Sequence, residues 1–392
     1  MQYFFVLGNN PELSAAEIMQ TAQANFKNPV YLSGKGLLLV ESDSEIDADM
    51  LIRCLGGTIK IGLVKSETTK ETAPKQFSEI LLLKLGKNRI SFGISSYSER
   101  VRIKQIGMTV KTFLKEQNIS ARWVVSREPQ LSSVVVEQND LLKKGAEFII
   151  WELNKKLFFG LTLAVQPFKE LSVRDYGRPD RDEESGMIPP KLAQIMLNLA
   201  NYSAEKVLYD PFCGSGTILQ EAYLQGGYQL FGSDISQKAV LDSQKNIDWL
   251  INKFQLEKHS IQIKIGDATR AREVFANIKF DCIITEPYLG PQRGNYEVEQ
   301  VVKELELMYA KCLIELSSIL NIGGKIVIIL PIFNQKGQHY SLSDKIVPKS
   351  LSWVNYQHKN SIRDNIKRPT LRYGRVGQRV WRELAVFAKT SD

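Results

Sequence analysis

Asp210-Pro211-Phe212-Cys213-Gly214-Ser215-Gly216-Thr217 follows a short apolar run, Lys206–Tyr209, and leads into an apolar segment, Ile218–Leu224. A strand that ends in a tight glycine turn and opens a helix is the junction at which α/β sheets bind nucleotides. Gly214 and Gly216 let the backbone approach a ligand where a side chain would collide. About twenty residues on, the run Leu230–Ser233 ends in Asp234, where an acid accepts hydrogen bonds from ribose hydroxyls. A third run, Ile261–Ile265, ends in Gly266-Asp267-Ala268, where a carboxylate can meet an adenine amino group. The nicotinamide fingerprint GxGxxG fits poorly, because Thr217-Ile218-Leu219 follows Gly216, and no Gly-Lys-Ser/Thr is present to make a P-loop. A lone Gly-x-Gly reads as an ordinary tight turn. Three acids at the ends of successive strands turn that reading toward a nucleoside cradle.

From Leu192 onward strands alternate with helices. Expected strands are Lys206–Tyr209, Leu230–Ser233, Ile261–Ile265, Phe280–Thr285, Lys325–Leu330, Ser352–Gln357 and Leu384–Ala388, with helices over Gln237–Asn252 and Val298–Leu320. Such alternation implies a mostly parallel, Rossmann-like α/β sheet covered on both faces, with ligands at the carboxyl ends of its strands. Upstream, residues 1–58 read as a strand–helix–strand unit: Tyr3–Leu7, a helix opened by Asn10-Pro11-Glu12-Leu13 and running to Ala24, then Gly36–Val40. Residues 59–165 continue as α+β, with helices at Phe77–Leu85 and Val101–Glu116. The strands expected there are Ile90–Ser95, Ala121–Val125, Val134-Val135-Val136, Glu147–Trp151 and Lys156–Val165. The polar stretch Gln166–Pro190 reads as a linker, leaving 191–392 as the C-terminal domain.

At 392 residues the chain accommodates two or three domains, and 43% hydrophobic residues is ordinary for globular protein. Met1-Gln2-Tyr3-Phe4-Phe5-Val6-Leu7-Gly8 lacks a basic n-region and a long apolar core, so no signal peptide is expected, and no apolar run is long enough to span a bilayer. Cys54, Cys213, Cys282 and Cys312 form no CxxC pair, which points to reduced thiols in a cytoplasmic protein. His259, His339 and His358 lie at no metal-ligand spacing, so no metal is expected. The net charge of +8 is clustered. Between Lys359 and Glu383 stand Lys359, Arg363, Lys367, Arg368, Arg372, Arg375, Arg379 and Arg382 against Asp364 and Glu383. Between Val101 and Glu128, Arg102, Lys104, Lys111, Lys115, Arg122 and Arg127 face two acids. Such clusters suit phosphate neutralisation, and a solvated basic face explains the charge equally well.

The segment Asp210–Thr217, with Asp234, Asp267 and the tract Arg372-Tyr373-Gly374-Arg375-Val376-Gly377-Gln378, resembles the class I, S-adenosylmethionine-dependent tRNA guanine-N2 methyltransferases that carry a THUMP domain. Members act on the guanine at tRNA position 10 or nearby. The resemblance extends through Ser185-Gly186-Met187-Ile188-Pro189-Pro190-Lys191-Leu192-Ala193, which in that family precedes the first strand and lines the cofactor pocket. It reaches the N-terminal half in Leu55-Gly56-Gly57-Thr58-Ile59-Lys60 and Leu131-Ser132-Ser133-Val134-Val135-Val136. It implies a class I methyltransferase domain with a mostly parallel seven-stranded sheet over 191–392. It also implies a ferredoxin-like unit (1–58) and a THUMP domain (59–165) that hold tRNA, in a monomer. Binding of S-adenosylmethionine is then carried by Pro189, Asp210, Phe212, Gly214, Ser215, Gly216, Thr217, Asp234, Ile235, Asp267, Ala268 and Glu286.

The fourth strand ends in Glu286-Pro287-Tyr288-Leu289-Gly290-Pro291, where amino-methylating relatives carry Asp or Asn, Pro, Pro, aromatic. The guanine amine is a poor nucleophile, because its lone pair is delocalised into the ring. A carboxylate and a backbone carbonyl that accept its two N–H bonds hold the nitrogen and stabilise the charge that develops, while an aromatic ring stacks the extruded base. Glu286, Pro287 and Tyr288 are the catalytic candidates, with Glu one methylene longer than Asp and Tyr in place of the second proline. A purely structural turn is the competing reading. Lys104, Lys111, Lys115, Arg122, Arg372 and Arg375 are the RNA-binding candidates. Arg174, Asp175, Tyr176 and Arg178 read equally as contacts to cofactor carboxylate or RNA phosphate and as linker charges. Trp381 and Tyr373, set among arginines, fit RNA contact, and Val380–Trp381 also reads as strand core. Deleting 1–165 is expected to cut RNA affinity far more than cofactor affinity. Rival functions are methylation of adenine N6 in DNA or guanine N2 in ribosomal RNA, and an inactive RNA-binding homologue.

Overall fold

The structure, a computed structural model, describes all residues except 23, 33–34, 86–89, 182–186, 292, 336, 357–368, 375–377 and 392. The chain forms two compact units. One comprises 1–11, 23–54 and 58–168, the other 12–22, 55–57 and 169–392.

In chain order, the elements up to residue 176 are β1 (Gln2–Leu7), α1 (Pro11–Gln20), β2 (Lys27–Leu32), β3 (Leu37–Glu41), α2 (Ala48–Cys54), β4 (Thr58–Thr68), α3 (Ala73–Leu85), β5 (Ile90–Tyr97), α4 (Ile103–Glu116), β6 (Ala121–Val124), α5 (Ser133–Gln138), β7 (Gly145–Leu153), β8 (Lys156–Val165) and α6 (Phe168–Tyr176). All eight strands join one sheet in the order β2-β3-β1-β4-β8-β7-β5-β6. Residues 1–58 and 59–165 therefore share a single sheet, with Tyr3 to Val6 paired to Leu63 to Lys60. Phe77 of α3 stacks on Phe148 of β7 at 4.0 Å between ring centroids, and α4 buries Ile106, Val110 and Leu114. The opposite face of α4 carries Lys104, Lys111 and Lys115, all exposed.

Three readings of the N-terminal half change. Val134-Val135-Val136 is helical rather than extended, because Ser132 caps it: its hydroxyl oxygen accepts the Val135 N–H at 3.3 Å. Gln166–Pro190 opens with the helix α6, which buries Leu171 and Arg174. The strand β2 escapes periodicity because it is an exposed edge carrying Pro29, a residue tolerated where no ladder partner waits.

Inside this unit Lys60 donates to the Glu147 carboxylate and to the Leu131 carbonyl, and both charged side chains are almost wholly buried. Ser95 and Thr162 also donate to Glu147, at 2.5 and 2.7 Å. A buried pair of this kind is costly to break because the survivor is left charged in a low dielectric. We expect Glu147→Ala to destabilise this unit by about 3–5 kcal/mol, measured by chemical denaturation. Unchanged stability would show that Lys60 finds another partner.

The second unit adds α7 (Pro190–Leu199), β9 (Leu208–Asp210), α8 (Thr217–Leu224), β10 (Gln229–Asp234), α9 (Gln237–Phe254), β11 (Ser260–Ile265), α10 (Ala271–Val274), β12 (Phe280–Thr285), α11 (Val298–Ile319), β13 (Leu320–Gln335), β14 (Gln338–Ser341), β15 (Leu351–Trp353), β16 (Leu371–Tyr373) and β17 (Val380–Lys389). Its sheet runs β11-β10-β9-β12-β13-β17-β15, with β14 beside β13 and β16 beside β17. The first five strands are parallel, and β17 is antiparallel to both β13 and β15. This is the expected seven-strand path plus two short additions. The central strands read as near-continuous apolar runs because helices cover both faces, whereas β11 at the edge is largely exposed and carries Lys264.

The helix α1 contributes Leu13 and Ala16 to this unit's core. Its Glu17 accepts the Gly56 and Gly57 N–H groups, both at 2.8 Å, and the Asn198 amide at 2.9 Å. A Cβ at Gly56 would lie 1.9 Å from the Lys191 carbonyl oxygen, so only glycine fits there. Removing 1–165 would take this helix from the core, so the truncation cannot isolate RNA binding.

Candidate functional site

Strand order reverses between β9 and β12: from β9 the chain builds outward through β10 and β11, then returns to add β12 on the other side. Loops leaving the carboxyl ends of neighbouring strands therefore diverge and leave a crevice. A cavity of about 800 Å³ occupies it.

The turn after β9 is shaped by its two glycines. Gly214 has φ +50° and Gly216, which precedes α8, has φ +82°. A Cβ at Gly216 would stand 2.3 Å from the Ser243 hydroxyl. The turn is tied to β10 by two bonds: the Gly214 N–H donates to the Asp234 carboxylate at 3.0 Å and the Cys213 N–H to the Ser233 carbonyl at 2.9 Å. Asp234 also accepts the Ser236 N–H at 2.9 Å, and its carbonyl accepts the Gly266 N–H at 3.0 Å, which ties in the end of β11. Asp267 accepts the Thr269 N–H and hydroxyl, both at 2.8 Å. Three strand ends thus meet at Asp234, whose carboxylate takes the turn after β9 and whose carbonyl takes the end of β11.

Asp210 is buried at the floor. It accepts the Thr285 hydroxyl at 2.7 Å and the Phe212 N–H at 3.2 Å, joining the tips of β9 and β12. Burial pushes its carboxyl up to about 7, partly offset by those two donors. At the tip of β12 follow Glu286, Pro287 and Tyr288. The Glu286 carboxylate is forked onto the Arg382 guanidinium, Nε to Oε1 at 2.5 Å and Nη2 to Oε2 at 3.3 Å. Tyr309, from α11, donates its buried hydroxyl toward the Tyr288 and Ile329 carbonyls at 3.3 and 3.2 Å, pinning the loop to β13. Tyr288 itself is 59% exposed.

Of the sequence candidates, Asp210, Phe212, Gly214, Ser215, Thr217, Asp234, Ile235, Asp267, Ala268, Glu286, Pro287 and Tyr288 all line this one cavity. Pro189 lies just off it as the N-cap of α7, while Met187 and Ile188 line it instead; Gly216 shapes the turn without lining the cavity. Lys104, Lys111 and Lys115 on α4 and Arg122 on β6 belong to the other unit. Arg372 lies over the Trp381 ring, 5.7 Å from its centroid. Arg375, together with Lys359, Arg363, Lys367 and Arg368, is outside the described residues. Two supposed linker charges are internal. Arg174 is buried against Glu221 in a bidentate pair at 2.7 and 3.2 Å, and Arg178 donates to the Thr217 hydroxyl at 2.6 Å.

The cavity also takes in Gln378, the end of the tract that begins at Arg372, and residues that no motif announced: Arg293, Arg379 and Arg382. Arg382 was legible only as one charge in a basic tract. Its position opposite Glu286 depends on β13 and β17, which remain paired through Pro331 and Arg382 after the β12 pairing ends at Ile328. Pro331 is tolerated there because one side of β13 has no β12 ladder to complete.

Because Asp210 titrates about 7 rather than 3.8, its contribution to stability is fully present below about pH 4 and is lost as pH rises through 7. Asparagine keeps an acceptor for Thr285 and Phe212 without titrating. We expect Asp210→Asn to be more stable than the parent above pH 7, by up to about 4 kcal/mol, and to show no gain near pH 4. Parallel pH–stability curves for the two proteins would disprove the buried charge.

Known proteins share this architecture. Residues 178–361 match the family described as UPF0020: RMKL-like, methyltransferase domain. The tRNA (guanine(10)-N2)-dimethyltransferase of Pyrococcus abyssi is 33% identical over 138 residues, 35% of this chain and 38% of that protein. Its counterpart in Methanocaldococcus jannaschii is 29% identical over 153 residues, covering 37% and 42%. A probable enzyme of the same name from Methanothermococcus thermolithotrophicus is 34% identical over 113 residues, 27% of this chain and 67% of that protein. The matched region spans about two fifths of the length of the first two relatives. Among solved structures, TrmN from Thermus thermophilus superposes with a TM-score of 0.55 over 99% of this chain and 100% of its own, at 15% identity, a likeness of fold. Among the described residues no helix is long and apolar enough to cross a membrane, and no group of three His, Cys, Asp or Glu is placed to hold a metal.

Proposed function

Because residues 178–361 match the RMKL-like methyltransferase-domain family and the fold is that of class I methyltransferases, we propose that the protein methylates the exocyclic N2 of a guanosine in tRNA, at position 10 or nearby, using S-adenosylmethionine. One observation carries the reading: the acids that end β10 and β11, the glycine turn after β9 and the Glu286-Pro287-Tyr288 loop all face a single cavity. The names of the tRNA (guanine(10)-N2)-dimethyltransferases it resembles support the substrate.

The lining suits a nucleoside sulfonium. Asp234 keeps carboxylate lone pairs for ribose hydroxyls beyond the two N–H groups it accepts. Ile235, 74% exposed at the cavity, offers an apolar face to a base, and Asp267 takes its amino group. Pro189, Phe212, Ser215, Gly216, Thr217 and Ala268 complete that side. The cofactor, when bound, supplies an electrophilic methyl. Glu286 and the Pro287 carbonyl accept the two N–H bonds of the guanine amine and hold its nitrogen in line, and Tyr288 stacks the base. These contacts matter most as positive charge develops on the nitrogen, so they act on the transition state more than on binding.

In the N-terminal half, a ferredoxin-like segment (1–58) and a THUMP segment (59–165), which share one sheet, hold the tRNA through shape and phosphate contacts, with Lys104, Lys111 and Lys115 on one helix face and Arg122 on β6. Arg372 and Arg375 serve the C-terminal half. The protein acts as a cytoplasmic monomer.

Incubation with methyl-labelled cofactor and unmodified tRNA, followed by nucleoside mapping, tests the activity. The expected product is N2-methylated guanosine. Label appearing only in adenosine, or only with ribosomal RNA or DNA, would refute the assignment. Asp234→Ala should weaken cofactor binding at least about tenfold by calorimetry, and Glu286→Ala should lower kcat about 100-fold with cofactor affinity retained. Reversing Lys111 and Lys115 to Glu should weaken tRNA binding, reduce its salt dependence and leave cofactor affinity alone.

A further inference from the structure

We propose that Arg382 is the positioning residue of the acceptor site, holding the Glu286 carboxylate where the amine nitrogen arrives; this rests on the reading of Glu286 given above. Glutamate carries one more rotatable bond than the aspartate of the amino-methylating loop. A carboxylate free to turn would spread its lone pairs over several directions, and holding it costs entropy at the moment of reaction. Arg382 removes that freedom. Its planar guanidinium engages both oxygens at once, through Nε and Nη2, and both side chains are largely shielded, 11% exposed for Glu286 and 20% for Arg382. Each carboxylate oxygen retains a further lone pair, so Glu286 can still accept an N–H from the substrate.

The scaffold supports the assignment. Arg382 stands opposite Pro331 on the part of the β13–β17 ladder that continues past the last pairing of β12, and Glu286 is the first residue beyond β12. The guanidinium is thus delivered by a paired strand rather than by a loop, which fixes it more tightly. It also balances charge. Glu286 lies close enough to buried Asp210 to oppose its ionisation, so a second carboxylate at the tip of β12 needs a cation beside it.

Full-length protein, methyl-labelled cofactor and unmodified tRNA transcript provide the test, with kcat and KM for tRNA measured alongside cofactor affinity by calorimetry. We expect Arg382→Ala to lower kcat about 100-fold, with KM and cofactor affinity within about threefold of the parent, and added guanidinium ion to restore kcat at least about tenfold. Arg382→Lys keeps the charge and much of the bulk but not the fork. It should lose kcat to a similar degree with cofactor affinity retained, and it decides the matter if the alanine variant does not fold. Glu286→Ala should show its own loss of kcat of about 100-fold and no response to guanidinium. Arg382→Lys at the parental kcat, an increase in kcat on losing Arg382, or a folded Arg382→Ala that guanidinium does not restore would each overturn the proposal. Transfer that requires Glu286 but is indifferent to Arg382 defeats the positioning role alone. Transfer at the parental kcat in Glu286→Ala defeats the reading of Glu286 and the positioning role with it.

Discussion

Adjacent parallel strands whose loops leave in opposite directions cannot both be covered by one helix, and in the C-terminal unit this happens between β9 and β12. The opening above them persists because the bonds around it run sideways, from strand tip to strand tip. Asp210 joins β9 to β12 through Thr285, Asp234 joins β10 to the glycine turn, and the Asp234 carbonyl takes the N–H of Gly266 beyond β11. A cavity framed in this way loses little entropy when a ligand enters, since its walls are already in place.

The same acids divide their work by depth. Asp210 is buried and held near neutrality in charge by desolvation, so it acts as a joint in the framework. Asp234 is nearer solvent and keeps lone pairs for a ligand. Glu286 stands between these cases, shielded yet paired to Arg382. Two buried ion pairs elsewhere follow the same logic within their own units: Lys60 with Glu147, and Arg174 with Glu221. Such pairs add little net stability over apolar packing, but breaking either partner strands a charge.

Much of the C-terminal unit was legible because its signals are local. The motif Asp210–Thr217 states its own conformation: glycines at positive φ, a strand before and a helix after. The acids ending β10 and β11 follow at the spacing of one βα unit, so their meeting point is implied by topology. Failures arose where tertiary context overrode a local pattern. Val134-Val135-Val136 carries strong strand propensity, yet it is helical, with Val136 buried among Val124, Leu131 and Leu141 beyond the cap at Ser132. Residues 166–176 look like a polar linker, yet Arg174 is buried because Glu221 awaits it. The exposed edge strand β2 left no alternation to detect.

The amino-acid sequence alone determined the α/β alternation, the conformation of the glycine turn and which carboxylates stand at strand ends, since each depends on neighbours within a few residues or on one strand–helix step. Only the tertiary structure decided that α1 packs into the C-terminal core, that Asp210 is a buried joint, and that Arg382 faces Glu286. Those facts depend on how far one strand pair extends beyond another and on charges brought together across 96 residues of chain. The physical reason is that desolvation and ion pairing are set by what surrounds a side chain in space, and no periodicity along the chain encodes that.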